Sequence, residues 1–323
     1  MSRTPVLKVD DLKVWFPQQK GILKKTVGHV KAVDGVSFEI YKGETFGLVG
    51  ESGCGKTSVG KAIVRLNPIT HGSVELHGTN IANLSMKEMR EFRSVVQMIF
   101  QDPFSSLNPR MTVGDIIGEA VRFYRPNSDI HAEIVSYMEQ AGLRKEYLQR
   151  YPHQFSGGQR QRIGIARALA CQPEIIVADE PVSALDVSIQ AQIINLLKSL
   201  QRDLGLSFLF IAHDLSVVKH ISDRVGVMYL GNIVEISPSK ELDRNPLHPY
   251  TQALIGSVPV THPSQRRSRQ PLTGEVPSPM ETFTGCKFCK RCPVATDKCR
   301  SEIPVLREAE PEHWVACHQV EIS

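Results

Sequence analysis

Short runs of β-branched and aliphatic residues recur along roughly the first 240 positions, and stretches of helical periodicity separate them. This alternation is typical of an α/β domain built around a largely parallel sheet. Between about Asp102 and Phe155 the pattern is mostly helical, which predicts an inserted helical subdomain at about 102–160. The apolar runs predict strands at Val36–Ile40, Thr45–Val49, Val95–Phe100, Glu174–Ala178, Ser207–Ala212, Arg224–Tyr229 and Asn232–Ile236.

The pattern changes in the last quarter of the chain, from about Ser257 onward. Prolines interrupt any helical periodicity up to Gly285, and such a stretch is typical of an extended linker. A segment rich in cysteine follows it. We therefore predict a large α/β domain at 1–256 and a small C-terminal region at 257–323 that contains the linker and the cysteines.

Composition and charge narrow the class of protein. Hydrophobic residues make up 41% of the chain and charged residues 22%, as in an ordinary soluble globular protein. The net charge of +4 is too small and too evenly spread for a protein that coats nucleic acid. The longest apolar run, Leu206 to Ala212, is far shorter than a membrane-spanning helix, and Met1 to Asp10 lacks the apolar core of a secretion signal. We expect a cytosolic chain that does not itself cross the membrane.

The run Gly-Glu-Ser-Gly-Cys-Gly-Lys-Thr at 50–57 follows a predicted strand and precedes a predicted helix, Ser58–Leu66. This is the context of a phosphate-binding P-loop, whose glycines let backbone N–H groups turn toward a phosphate. Lys56 is expected to reach the β- and γ-phosphates, and the Thr57 hydroxyl to bind Mg²⁺. A glycine-rich turn without a ligand is the alternative. The candidate nucleotide-binding residues are Gly50, Glu51, Ser52, Gly53, Cys54, Gly55, Lys56, Thr57 and Ser58.

A second candidate element is the acidic pair Asp179-Glu180, which ends the apolar run at 175–178. An aspartate at the carboxyl end of a strand can hold Mg²⁺ through water, and the adjacent glutamate can orient or deprotonate an attacking water. On its own, such a pair is more often a solvated turn. Beside a P-loop, it indicates a site that hydrolyses nucleotide.

The sequence Phe-Ser-Gly-Gly-Gln at 155–159 is similar to the signature motif of ATP-binding cassette ATPases, and the resemblance to that family covers about residues 6–240. As a bare tripeptide, Ser-Gly-Gly is also an ordinary helix cap. The resemblance implies a RecA-like core with an antiparallel β subdomain and a helical subdomain. It also implies that Ser156, Gly157, Gly158 and Gln159 face the γ-phosphate of ATP bound by a partner subunit.

The same resemblance assigns four further positions. Gln101 resembles the glutamine that contacts Mg²⁺ or water, and Asp186 ends a stretch similar to the loop that crosses the dimer interface. His213 resembles the histidine that senses the γ-phosphate, so that Glu180 and His213 are the expected catalytic residues. Phe16 is the aromatic residue expected to stack on adenine, with Trp15 as the alternative. Either ring could instead be part of the core.

Several stretches are similar to the F-type ATPase subunit of dipeptide and oligopeptide permeases; they include residues 101–110, 245–251 and 274–279. The resemblance implies ATP-driven peptide import by a heterodimer with a paralogous D-type ATPase, two integral membrane permease subunits and, indirectly, an extracytoplasmic solute-binding protein. The chain is then expected at the cytoplasmic face of the inner membrane. Import of nickel or another small solute is the nearer alternative. A soluble DNA-repair ATPase is the more distant one, and it requires a long coiled-coil arm.

Five of the seven cysteines lie after residue 285, which in a reducing cytosol suggests a metal site. The spacing of Cys286, Cys289 and Cys292 is that of a ferredoxin, with Cys299 or Cys317 as the fourth ligand. The permease resemblance implies instead a four-iron–four-sulfur cluster on Cys286, Cys292, Cys299 and Cys317, with Cys289 as an alternative ligand. Structural zinc and unligated thiols are the other two possibilities.

Overall fold

The computed structural model describes residues 4–20, 25–257 and 274–321. The described residues form two compact units, each assembled from separate stretches of chain: unit 1 from 4–6, 40–45 and 76–211, and unit 2 from 7–20, 25–39, 46–75, 212–257 and 274–321. The predicted boundary at 256/257 stays a prediction, because most of the predicted linker lies outside the described residues. In the described part of the chain, no helix combines the length and apolar character needed to cross a bilayer.

The described chain contains both strands and helices. The strands are β1 (Pro5–Lys20), β2 (Lys25–Tyr41), β3 (Thr45–Val49), β4 (His71–Leu76), β5 (Thr79–Asn80), β6 (Val96–Ile99), β7 (Ile175–Asp179), β8 (Ser207–Ile211), β9 (Arg224–Tyr229), β10 (Asn232–Pro238), β11 (Arg307–Glu310) and β12 (His313–Val315). The helices are α1 (Lys56–Ile63), α2 (Met89–Val95), α3 (Pro103–Ser106), α4 (Val113–Tyr124), α5 (Ile130–Gln140), α6 (Gly157–Leu169), α7 (Val187–Leu204), α8 (Leu215–Ile221), α9 (Ser239–Arg244), α10 (Pro249–Ser257) and α11 (Asp297–Ser301).

Unit 1 contains the three parallel strands β6, β7 and β8, with β7 in the middle. All residues of β7 and β8 are buried, which explains why the sequence shows continuous apolar runs there rather than alternation. The three predicted strands are confirmed to within a residue or two. Register pairs Ile99 with Ala178 and Asp179 with Ile211, so that the carboxyl ends of the three strands meet at one edge.

The helices predicted between 102 and 155 are present in unit 1. α4 and α5 pack against each other and against α6, and Ile117, Val121 and Met138 are fully buried among them. Side-chain caps start these helices: Thr112 accepts from an N–H of α4, and Asp129 from an N–H of α5. Between residues 57 and 156, all of which are described, no helix is longer than the 12 residues of α4, so the coiled-coil arm that a DNA-repair ATPase requires is absent.

Unit 2 contains a mixed sheet in the order β11-β12-β10-β9-β3, and a separate sheet in which β1 lies between β2 and β4. β3 and β9 are parallel, as predicted, whereas β10, β12 and β11 add to β9 in antiparallel fashion. The prediction of a largely parallel sheet is therefore correct for only part of the fold. The C-terminal hairpin β11–β12 is joined to the sheet by the pair Glu235–Val315.

A buried carboxylate connects the C-terminal segments of unit 2 to β10. Glu235 is fully buried and accepts hydrogen bonds from the backbone N–H groups of Leu247 and His248, at 2.8 and 2.9 Å. The His313 ring lies 2.7 Å from the same carboxylate. In addition, His248 Nδ1 accepts a hydrogen bond of 3.0 Å from the N–H of Tyr250, which requires this ring nitrogen to be unprotonated.

We expect unit 2 to lose stability in acid through His248. Burial lowers the pKa of His248 to about 4, although the nearby charge of Glu235 acts in the opposite direction. Because the unfolded pKa is about 6.5, the stabilisation is complete above that pH and is lost as the pH falls toward 4. For a shift of this size the loss at pH 5 is about 2 kcal/mol.

The test compares the wild-type protein with His248→Asn, since the amide oxygen can accept the same N–H and does not titrate. The free energy of unfolding, measured by chemical denaturation at pH 7 and pH 5, should fall less in the variant than in the wild type. Equal losses in the two proteins would show that His248 does not carry this pH dependence.

Candidate nucleotide-binding site

The P-loop of unit 2 turns sharply between β3 and α1. Gly50 has φ 155° and Gly55 has φ 107°, both in the region that favours glycine. A Cβ atom at Gly50 would lie 2.1 Å from the carbonyl oxygen of Met228, and one at Gly55 would lie 2.0 Å from that of Ala32. Glycine is therefore required at both positions, because the backbone of the loop approaches neighbouring backbone too closely for any side chain.

Lys56 is the first residue of α1, and it is buried. Its ammonium group donates to the carbonyl oxygens of Gly50 and Glu51, at 2.8 and 3.0 Å, and contacts Cys54 Sγ at 3.7 Å. Burial raises the pKa of the Cys54 thiol, so this third partner is a neutral and weak acceptor. A phosphate oxygen would be a much better third acceptor, which fits the predicted role of Lys56.

The other predicted residues of the loop occupy its tip and the start of α1. Ser52 and Gly53 are exposed, whereas Thr57 and Ser58 lie half-buried in the first turn of α1. This first turn contains no acidic side chain. Its N–H groups and the positive end of the helix therefore remain suited to an anion.

Glu51 has contacts that the sequence did not predict. Its carboxylate accepts two hydrogen bonds from Arg291, and its backbone N–H donates to the hydroxyl of Tyr250 at 2.9 Å. The two partners lie 199 and 240 residues farther along the chain. The only sequence signal was an acidic residue in a loop expected to bind anions, and this signal does not identify a partner.

The acidic pair of unit 1 lies at the carboxyl end of β7. Asp179 is buried, and Glu180 follows it with φ 45°, a left-handed backbone that non-glycine residues rarely adopt. The N–H of Glu180 donates to the carbonyl of Ile211 at 2.9 Å, which helps hold this conformation. Gln101 Nε2 donates to Glu180 Oε2 at 2.8 Å, so the structure brings together two residues that the sequence placed 79 positions apart.

The signature residues begin α6 in unit 1. Ser156 and Gln159 form a reciprocal capping box, in which each side chain binds the backbone N–H of the other. A Cβ at Gly158 would lie 2.5 Å from the Ile189 side chain, so close packing against α7 requires glycine there. Asp186, at the start of α7, is exposed, as is Ser156.

The remaining predicted residues lie in unit 2. His213 is exposed and follows the end of β8 by two positions. The Trp15 ring donates to Asp34 and has the Lys31 ammonium over its face, 5.0 Å from the ring centre. Phe16 is half-buried. The choice of Phe16 over Trp15 as the adenine-stacking residue stays a prediction.

The side chains predicted to bind Mg²⁺ carry suitable atoms. Magnesium prefers hard oxygen ligands, and Thr57 offers a hydroxyl and Asp179 a carboxylate. The amide nitrogen of Gln101 is used in its bond to Glu180, which leaves the amide oxygen of Gln101 as the atom able to ligate. Each of these oxygens is of the type that Mg²⁺ prefers, and the individual assignments stay predictions.

The prediction of an iron–sulfur cluster on Cys286, Cys292, Cys299 and Cys317, with Cys289 as the alternative ligand, is wrong. All five cysteines are described, and no group of His, Cys, Asp or Glu in the described chain could hold a metal ion. Zinc has no support either.

The surroundings of the thiols differ from one cysteine to the next. Burial raises the pKa of Cys286 to about 11 and also raises those of Cys292 and Cys317, which favours the protonated thiol at these positions. The Cys299 sulfur instead forms hydrogen bonds with Thr296 and Gln319.

Comparison with known proteins agrees with this geometry. The family model described as ABC transporter matches residues 33–183, which include the P-loop, Gln101, the signature and the acidic pair. A second model, described as the C-terminal region of oligopeptide/dipeptide transporters, matches residues 234–299. The dimeric ATP-binding cassette MJ0796 bound to ADP and phosphate has 26% identity and a TM-score of 0.64, covering 72% of this chain and 98% of its own.

Two curated relatives match over almost the full length. The oligopeptide transport ATP-binding protein AppF of Bacillus subtilis is 54% identical over 322 residues, covering 98% of both chains. The oligopeptide transport ATP-binding protein OppF of Salmonella typhimurium is 51% identical over 327 residues, covering 99% of this chain and 98% of its own. The chain therefore belongs to the ABC transporter family of ATPases, in the group that carries the oligopeptide/dipeptide transporter C-terminal region.

Proposed function

We propose that this chain hydrolyses ATP to drive the import of oligopeptides or dipeptides. The observation that supports this most directly is the full-length similarity to AppF and OppF, which extends through the C-terminal region at 234–299. The chain acts at the cytoplasmic face of the cell membrane with two membrane-spanning permease subunits. A paralogous D-type ATPase completes the nucleotide sites, and an extracytoplasmic protein delivers the solute.

Lys56 and the N–H groups of the P-loop bind the phosphates of ATP. The ammonium is already held at the loop by the carbonyls of Gly50 and Glu51, so that little side-chain freedom is lost when it also binds a phosphate oxygen. Thr57 is the residue of the loop that would hold Mg²⁺, which neutralises phosphate charge when bound.

Glu180 orients or deprotonates the attacking water. Its carboxylate is held by the hydrogen bond from Gln101 and by a constrained left-handed backbone, so its direction is fixed before substrate arrives. His213 is the group that senses the γ-phosphate. The signature residues at the start of α6, of which Ser156 is exposed, contact ATP held by the partner subunit.

ATP clamps the nucleotide domains of the two ATPase subunits together, and the helical subdomain, which begins with α3, passes that motion to the permease. Gln101 lies between Glu180 and α3, which starts two residues later at Pro103. A change in the contacts of the Gln101 amide is thereby passed directly to the first helix of the subdomain. The helical subdomain therefore has two arrangements, and the contacts of the γ-phosphate shift the equilibrium between them.

Replacing the water-orienting carboxylate should separate ATP binding from turnover. In Glu180→Gln the amide cannot take a proton, so steady-state ATPase activity should fall about a hundredfold or more while ATP binding persists. Lys56→Ala should instead weaken binding, since such a phosphate contact is worth about 3 kcal/mol. Turnover and nucleotide affinity of the assembled transporter are the two measurements.

Glu174→Gln is the matched control for the carboxylate. Glu174 immediately precedes β7, is about half exposed and pairs with His77, away from the carboxyl end of the strand. Its turnover should equal that of the wild type. Normal turnover of Glu180→Gln would show that the catalytic carboxylate is misassigned.

Ser156→Arg should block the assembled ATPase without unfolding the chain. Loss of the cap costs about 1 kcal/mol, and the exposed site can accommodate the side chain. The arginine should obstruct the γ-phosphate of ATP bound by the partner. Asp129→Arg, which removes the equivalent cap of α5, is the control: its thermal stability should fall by a similar amount while heterodimer ATPase activity persists. Wild-type activity of the Ser156→Arg heterodimer would contradict the assigned role.

Purification from solubilised membranes tests the proposed function as a whole. Tagged chain should retain a paralogous ATPase and two permease subunits, and the complex reconstituted in vesicles with its solute-binding protein should accumulate labelled peptide when ATP is supplied on the cytoplasmic side. Accumulation of Ni²⁺ but not of peptide would show that the transported solute is not a peptide. Recovery of the tagged chain with soluble DNA-bound proteins would overturn the proposal that it belongs to an importer.

A further inference from the structure

The second residue of the P-loop, Glu51, forms a nearly buried ion pair with the C-terminal region. Arg291 Nη1 and Nη2 donate to the two carboxylate oxygens of Glu51 at 2.9 and 3.0 Å, in a bidentate arrangement. The Arg291 side chain is 7% exposed and that of Glu51 is 26% exposed. Both terminal nitrogens of the guanidinium are therefore used on this carboxylate, while the buried Nε has no partner in the described chain.

The same loop residue is also held through its backbone. The N–H of Glu51 donates to Tyr250 Oη at 2.9 Å, and burial raises the pKa of this phenol, which stays neutral. Phe288, three residues before Arg291, is buried and packs against the rings of Tyr250 and Tyr229. This aromatic cluster anchors the segment that carries Arg291.

A carboxylate in a phosphate-binding loop is electrostatically unfavourable for binding phosphate. Its negative charge repels the phosphates of ATP, and the partial burial of Glu51 reduces screening of that repulsion by solvent. Arg291 cancels the charge at hydrogen-bonding distance. The pKa of Arg291 is raised mainly by its hydrogen bonds to Glu51, so the guanidinium stays charged at any physiological pH.

We infer that Arg291 is a positioning residue of the nucleotide site: it neutralises Glu51 and, together with Tyr250, holds the first turn of the P-loop. The inference rests on the proposed ATP site. It assigns the C-terminal region a direct influence on ATP affinity, in addition to any role it has in solute import. ATP affinity then depends on a segment that follows the P-loop by 240 residues.

The test measures binding of a fluorescent ATP analogue, mant-ATP, to the full-length chain with Mg²⁺. Arg291→Ala should raise the dissociation constant about tenfold, because the carboxylate keeps its charge and loses its partner. Arg291→Lys should fall between this variant and the wild type, since an ammonium restores the charge but cannot bind both oxygens. The double variant Arg291→Ala with Glu51→Gln should recover most of the affinity, because it removes the uncompensated charge.

A kinetic measurement on the assembled transporter separates positioning from catalysis. In Arg291→Ala the KM for ATP should rise while kcat stays within about twofold of the wild type, the pattern of lost ground-state and transition-state binding together. Lys290→Ala is the matched control: Lys290 is the exposed neighbour of Arg291 and pairs with Glu281 on the surface. It should leave both constants unchanged.

Three results would decide against the inference. One is wild-type affinity in a folded Arg291→Ala protein, with folding checked by thermal melting without nucleotide. Another is a double variant as weak as Arg291→Ala, which would mean that charge compensation is not the cause. The third, needed if Arg291→Ala does not fold, is wild-type affinity in Arg291→Lys. Failure of the proposed function is distinguishable, since mant-ATP would then not bind the wild type, or would bind Lys56→Ala equally well.

Discussion

A phosphate-binding loop must leave N–H groups for its ligand, so few of them can hold its own shape. In the loop at 50–57 the N–H of Cys54 bonds to the carbonyl of Glu51, and further contacts come from outside the loop. The N–H of Gly231 donates to the carbonyl of Cys54, and the hydroxyl of Tyr250 accepts from the N–H of Glu51. The guanidinium of Arg291 donates to the Glu51 carboxylate. Most of unit 2 can be understood as the support for this short stretch: β9 supplies the backbone against which Gly50 packs, and the C-terminal region supplies the polar contacts.

Unit 1 solves a different problem, that of aiming a carboxylate. β6 and β7 are parallel neighbours, and the carboxyl ends of parallel strands meet at one edge of the sheet. Gln101 therefore reaches Glu180 whatever the chain between the two strands does. The left-handed backbone of Glu180 costs free energy that neighbouring contacts must supply. The N–H bond to Ile211 and the bonds of Ser183 to the Glu180 carbonyl are such contacts. The acidic pair Asp179-Glu180 is thus positioned by topology, whereas the P-loop is positioned by distant side chains.

This difference explains how much the sequence could predict. Strands β3 and β9 were predicted to the residue, and the ends of the parallel strands of unit 1 located the acidic pair, because local apolar runs encode both. β1 was missed since its buried positions shift from Leu7 and Val9 to Leu12 and Val14 across Asp11, whose φ of 43° breaks the alternation. β11 was missed because its residues, Arg-Glu-Ala-Glu, are mostly polar and become a strand only by pairing with β12.

The cysteine-rich segment shows the limit of reading ligands from spacing. Residue type and spacing state which sulfurs exist, but the fold decides whether they come together, and in the described chain no group of His, Cys, Asp or Glu could hold a metal ion. Around Cys286 and Cys317 burial favours the protonated thiol. The segment is instead held by features that its cysteines do not signal: the ring of Phe288, the ammonium of Lys287 on Asp34 and the guanidinium of Arg291 on Glu51. Two of these three contacts are ion pairs to residues of the first 51 positions, so the segment that looked like an independent metal-held tail takes its place in the fold from the N-terminal part of the chain.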